Sequence, residues 1–251
     1  MKIEFHYTYL IITIGFILTG YFSNLLVFTS IILIHELGHY TLAKLNKLKV
    51  EKIIIYPYGG LVKMNNLINT SINKELIVAI SGILFQTIYY LIIVFLYKNN
   101  LIRSYIFNLF TIYNKNILLF NIIPIHPLDG SKILTLLLSK ILPFNTVNKL
   151  NIIISIITLV TIIYINYYKF NYTTILIICI IIDNIIKYYK QLKYLFNKFL
   201  LERYIYNITY NKTKKISKIN NMYKEKYHII KENNTYITEK QALSHKFKRK
   251  T

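Results

Sequence analysis

The chain has 251 residues, 54% of them hydrophobic, and its Ile, Leu, Tyr and Phe gather into runs too long for the helices of a soluble core, which places it among membrane proteins. One cysteine, Cys179, excludes a disulfide framework and a Cys-rich zinc cluster, so any metal site must draw on His and carboxylate ligands. The net charge of +21 is uneven, with 17 Lys and Arg against 4 Glu in residues 187–251.

A membrane-spanning helix needs about 20 apolar residues, and about six segments approach that length: 7–22, 25–46, 76–97, 104–123, 149–167 and 172–189. The first follows Met1-Lys2-Ile3-Glu4-Phe5-His6 with no small-residue cleavage site, so it reads as a transmembrane helix and not as a removed signal peptide. Gly15 and Gly20 within it are five apart, which misses the GxxxG spacing, and read only as small residues that ease helix packing. After the second span, Ile53-Ile54-Ile55-Tyr56 and Leu61-Val62-Lys63-Met64 flank Pro57-Tyr58-Gly59-Gly60, a pattern that suggests a β-hairpin, with an interfacial loop as the alternative. Open strand edges cannot face lipid, so a hairpin here must line a protein cavity or sit at the interface.

Pro124 and Pro127 break the helical pattern after the fourth span, and residues 131–142 form an apolar stretch too short to cross, ending at Pro143. The expected fold is therefore an all-α polytopic membrane protein with about six spans, a short hairpin after the second and a helix break before the fifth. Both termini then lie on one side, and the basic C-terminal stretch argues for the cytoplasm and for contact with anionic lipid. Nucleic-acid binding is the weaker explanation of that charge, because no nucleic-acid-binding pattern accompanies it. Residues 1–200 read as one membrane domain and 201–251 as a polar, Lys/Asn-rich tail with only partial order.

An ionisable group inside a bilayer costs about 2.5–3.5 kcal/mol to insert, so each one needs a reason. Glu36 lies in His35-Glu36-Leu37-Gly38-His39, about 15 Å into the second span at 1.5 Å per residue. Residues four apart share a helix face, so His35 and His39 can offer imidazoles to one metal ion, with Glu36 close enough to act on water there. A catalytic zinc site takes three protein ligands and leaves a fourth position for water or substrate. The third ligand is sought in Asn121-Ile122-Ile123-Pro124-Ile125-His126-Pro127-Leu128-Asp129-Gly130. Asp129, one of two aspartates in the chain, is the first candidate there; an N-cap for the following helix is its ordinary explanation, and His126 is a competing ligand. Asp183 is accounted for by Lys187 at i,i+4.

The HExxH motif together with the Asn-x-x-Pro-x-x-Pro-Leu-Asp-Gly spacing resembles the site-2 protease family of intramembrane metalloproteases. The hairpin after the second span and Phe199-Leu200-Leu201-Glu202-Arg203-Tyr204 after the last extend the resemblance over residues 1–200, and it is strongest with the family's sporulation branch. The resemblance implies a zinc endopeptidase with His35, His39 and Asp129 as metal ligands, Glu36 as general base and Asn121 holding substrate backbone or oxyanion. It also implies a membrane-associated protein substrate such as pro-sigma-K, inhibitory membrane partners, and a place in the mother-cell membrane around the forespore; an anti-sigma protein is the alternative substrate. A nucleotide-sensing CBS domain, present in some members, does not fit in the tail. The family's Ala-Gly-Pro-x-x-Asn appears here as Ser81-Gly82-Ile83-Leu84-Phe85-Gln86, which puts a substrate contact at Gln86 in doubt, and Ser131 replaces the Gly that follows Asp-Gly in many members. A metal transporter or binding scaffold is the reading from a different class.

Overall fold

The computed structural model describes residues 2–56, 59–64, 67–165, 171–206, 208, 210–232 and 235–248. The chain divides into two units, Met1–Asn66 with Ile77–Ile122, and Leu67–Leu76 with Ile123–Thr251.

In the first unit, β1 (Ile3–Phe5) leads into α1 (Tyr7–Leu18), α2 (Phe22–Leu45), β2 (Val50–Tyr56), β3 (Gly59–Met64), most of α3 (Ile72–Lys98) and α4 (Ser104–Ile122). The expected hairpin is present: β2 and β3 pair antiparallel with Ile55 opposite Gly60, while Pro57 and Tyr58 of its turn lie outside the described residues. Its strands begin earlier than the β-prone runs suggest, and β1 adds a third strand parallel to β2, with Ile3 opposite Ile53. That pairing was not anticipated, because three residues before an apolar run carry no strand periodicity of their own.

Helix α2 is the centre of this unit. Leu25 and Ile32 pack with Tyr9, Ile53 and Ile55, while Val27 and Ile31 pack with Ile93 of α3 and Phe110 of α4. A helix apolar on both sides is buried on both, and this carries its polar residues into the interior. Gly20 corrects its sequence reading. It has φ +77° and ends α1 in a Schellman arrangement, with Tyr21 N–H donating to the Phe16 carbonyl at 3.0 Å and Gly20 N–H to that of Ile17 at 3.2 Å. A Cβ at Gly15 or Gly20 would meet nothing within 4 Å, so neither eases a helix contact among the described residues.

The second unit holds α5 (Asp129–Ser139), α6 (Phe144–Ile165), α7 (Tyr172–Ile205), β4 (Thr213–Ile216), a 3-10 turn (Ile219–Asn221), β5 (Tyr227–Glu232), β6 (Thr235–Thr238) and α8 (Glu239–Lys248). Strands β4 and β5 run parallel, and β5 and β6 antiparallel. Composition predicted partial order here, yet Ile216, Met222, Ile230, Ala242 and Leu243 close a core with Phe144, Phe196, Phe199 and Leu200. A buried cation braces it. Arg203 donates to both Glu239 oxygens at 3.0 and 3.2 Å, to the carbonyls of Tyr223, Lys224 and Lys226, and through Nε to Asn69 Oδ1 at 2.8 Å. Mean polarity hides such a fold, because a few well-spaced apolar residues and one saturated guanidinium are enough to order a short segment. The chain is thus mainly helical, as expected, and the described residues form two three-stranded sheets where one hairpin was expected.

Among the described residues, α2, α3 and α6 are long and apolar enough to cross a membrane, and α1 is a shorter apolar helix. Large apolar side chains point outward from them, including Leu91 and Phe95 on α3 and Ile157 and Val160 on α6. Contiguous exposed apolar surface of this kind suits lipid and not water.

Candidate active site

His35, Glu36 and His39 lie in the second half of α2 and are 3%, 5% and 6% exposed. The i,i+4 spacing sets the two imidazole edges together, with Nε2 to Nε2 at 3.1 Å and the rings at 81°. Each ring has its other nitrogen committed. His39 Nδ1 lies 2.7 Å from the Val78 carbonyl oxygen, which can only accept, so that nitrogen carries the proton. His35 Nδ1 lies 3.0 Å from Gln86 Oε1, and the Gln86 amide is oriented by its Nε2, which donates to Asn114 O at 3.0 Å and Asn114 Oδ1 at 3.1 Å. His35 Nδ1 is therefore also a donor. With Nδ1 committed as the donor, each neutral ring offers its Nε2 as a ligand atom, and the two Nε2 atoms, 3.1 Å apart, are close enough to share one ion. That donor set fits zinc, which binds neutral imidazole nitrogen at about 2.0–2.1 Å.

Three glycines make room for this arrangement. A Cβ at Gly82 on α3 would strike His39 Nε2 and come within 2.7 Å of His35 Nε2. One at Gly38 would lie 2.5 Å from the Ser81 carbonyl oxygen, so α2 and α3 meet backbone to backbone there. One at Gly60 would strike Glu36 Cγ and fall 2.7 Å from its Oε1, which shows that β3 lies directly against the carboxylate. Of the residues that shape the site, Gln86 appeared in the sequence only as a departure from a motif, and Gly60 only as part of a turn. No local pattern links either to α2.

Asn121 occupies the last turn of α4 and is half-buried. In the second unit, residues 123–128 leave the helical path as expected around Pro124 and Pro127, with a cis His126–Pro127 bond. Asp129 is 4% exposed and is the first residue of α5, one position past its N-cap Leu128 and not the N-cap itself; Lys132 Nζ lies 3.0 Å from its Oδ1. The partial helix expected at 131–142 thus starts two residues earlier and ends at Ser139. Ser131 is buried and donates to Asn151 Oδ1 at 2.8 Å, fastening α5 to α6. His126, the competing ligand, stacks its ring on Tyr188 at 4.0 Å, and its N–H donates to Ser155 Oγ at 3.0 Å. Asp183 pairs with Lys187 at the surface.

An HExxH pair buried in an apolar helix is the arrangement that a membrane metalloprotease requires. Residues 23–101 match peptidase family M50. The chain is 32% identical over 222 residues to stage IV sporulation protein FB of Bacillus subtilis (strain 168), covering 87% of this chain and 75% of that protein. It is 34% identical over 152 residues to a zinc metalloprotease of Methanocaldococcus jannaschii, covering 56% of this chain and 43% of the relative. Its fold is similar to that of the site-2 protease from Methanocaldococcus jannaschii, with a TM-score of 0.59 at 22% identity over 74% of this chain and 91% of that one. The chain belongs to peptidase family M50, the site-2 proteases, and is an integral membrane metalloprotease.

Proposed function

We propose that the protein is a zinc-dependent endopeptidase that cuts a peptide bond in or near the bilayer, with His35, His39 and Asp129 holding the metal. The observation that carries this reading is the 3.1 Å approach of the two Nε2 atoms, with Nδ1 of each ring held by an acceptor. Asp129 supplies the anionic third ligand; its burial supports it. Zinc, when bound, supplies Lewis acidity toward the scissile carbonyl and makes water acidic enough to ionise near neutral pH. Glu36 accepts the proton of the attacking water on its carboxylate and delivers it to the leaving amine nitrogen. Asn121 holds the substrate backbone or the developing oxyanion.

A helical substrate has its carbonyls bonded internally and must unwind before attack. Among the described residues strand β3 is an edge of its sheet, and it lies against Glu36, so an unwound segment paired to that edge is presented to the general base. About six spans, cytoplasmic termini, and a division into catalytic residues 1–200 and an accessory 201–251 complete the proposed architecture. The identity to stage IV sporulation protein FB supports pro-sigma-K as substrate, inhibitory membrane partners, and the mother-cell membrane around the forespore as location.

The test is Glu36→Gln in the full chain. Zinc is expected at one per chain in both forms, with pro-sigma-K shortened on co-expression only by the unsubstituted enzyme. Continued cleavage by Glu36→Gln would remove Glu36 from the mechanism; an anti-sigma protein cut in place of pro-sigma-K would reassign the substrate.

A further inference from the structure

Gln86 joins three helices of the first unit through one amide. It extends from α3, is 0% exposed, accepts from His35 of α2 on Oε1, and donates both Nε2 protons to Asn114 of α4. Both amide protons and the oxygen facing His35 are engaged and the side chain is 0% exposed, so Gln86 is turned to its helix neighbours and not to a substrate. Reversing the amide would set its oxygen against the Asn114 main-chain carbonyl oxygen, which can only accept, so the amide has one tenable orientation, and its oxygen calls for a proton on His35 Nδ1.

We propose that Gln86 is a positioning residue for metal binding: held by Asn114, its Oε1 keeps the His35 proton on Nδ1 and so keeps the Nε2 lone pair available to the ion. This rests on His35 being a metal ligand. His39 receives the same service from the Val78 carbonyl, a main-chain group that no substitution removes. Gln86 is the side chain through which this control can be altered. The general consequence of losing such an outer hydrogen bond is about 10–100-fold in metal affinity.

The experiment measures zinc affinity of the full chain in detergent by competition with a chromogenic chelator, with hydrogen exchange in α3 and α4 as the check on folding. Gln86→Leu, similar in size but without an acceptor, is expected to bind zinc about 10–100-fold more weakly. Gln86→Glu, as the neutral acid with its hydroxyl donating to Asn114, keeps an oxygen facing His35 and is expected to stay within about threefold of the unsubstituted chain. Zinc binding by Gln86→Leu equal to that of the unsubstituted chain would overturn the proposal. So would an equal loss in both variants, which would mark Gln86 as a packing residue. If Gln86→Leu does not fold, Gln86→Glu decides alone: retained affinity supports the proposal, and a tenfold loss with exchange unchanged sinks it. Failure of the unsubstituted chain to bind zinc is a separate result, which would overturn the metal site as well.

Discussion

Gly82→Ala tests the site geometry most directly, because its local and tertiary effects have opposite signs. Within α3 the change replaces Gly by the best helix former and favours the helix by about 1 kcal/mol. At the site, the new methyl would lie 2.7 Å from His35 Nε2, about 0.7 Å short of the 3.4 Å at which ordinary contact begins, and closer still to His39 Nε2. Relief by small shifts costs about 1–3 kcal/mol, as for other overpacked sites, so the net effect on folding is about 0–2 kcal/mol. Metal binding is far less tolerant. Zinc–nitrogen distances hold to within about 0.2 Å, so displacing either imidazole by several tenths of an ångström removes a ligand. The expected outcome is a loss of zinc affinity of at least about 100-fold, equivalent to about 2.8 kcal/mol, with the protein still folded. Zinc titration against a chelator, alongside hydrogen exchange across α3, reads both quantities. Gly82→Ala protein that binds zinc as tightly as the unsubstituted chain would refute the placement of both imidazoles.

Three further outcomes are expected. Gly60→Ala pushes a methyl onto the Glu36 carboxylate while leaving the imidazoles untouched, so peptide cleavage should fall by at least about tenfold with zinc content unchanged; a loss of zinc would show that β3 supports more than the general base. Arg203→Met leaves Glu239 and three carbonyls without their shared buried donor, and should cost about 3–5 kcal/mol in the C-terminal segment, read as faster hydrogen exchange over residues 213–248. That segment should also loosen in acid. Burial holds His228 below its ordinary 6.5 despite the opposing Glu239 contact, so the unfolded segment takes up a proton that the folded one refuses as pH falls past about 6.5, and stability is lost in that direction. Glu239 adds to the loss further down. Burial raises it, but the bond from His228 and the Arg203 charge leave it below 4.5. Exchange protection over 213–248, taken relative to the intrinsic rate at each pH, that does not fall between pH 8 and about 5 would contradict the assignment.

The local features were the ones legible in the residues. Helical period alone puts His35 and His39 on one face, two prolines interrupt the chain before Asp129, and two β-prone runs around a Pro-Gly turn make a hairpin. Each depends on residues within a few positions of one another, where backbone geometry is decisive. The ordered C-terminal segment was not legible, since Arg203, Glu239 and Asn69 act together from positions more than 30 residues apart. The pairing of β1 with β2 was hidden for the same reason.

By itself the sequence determined that this is a membrane protein, that its second span carries two imidazoles and a carboxylate on neighbouring helical positions, and that any metal bound there must use His and carboxylate. Tertiary structure decided what those groups face: the Val78 carbonyl and the Gln86 amide choose the imidazole tautomers, and Gly82 and Gly60 leave space beside His35, His39 and Glu36. The reason is physical. A helix fixes the direction of its own side chains through bonds four residues apart, whereas the partner that sets the proton on each ring comes from α3, about 40 to 50 residues along the chain, and arrives only when the helices pack.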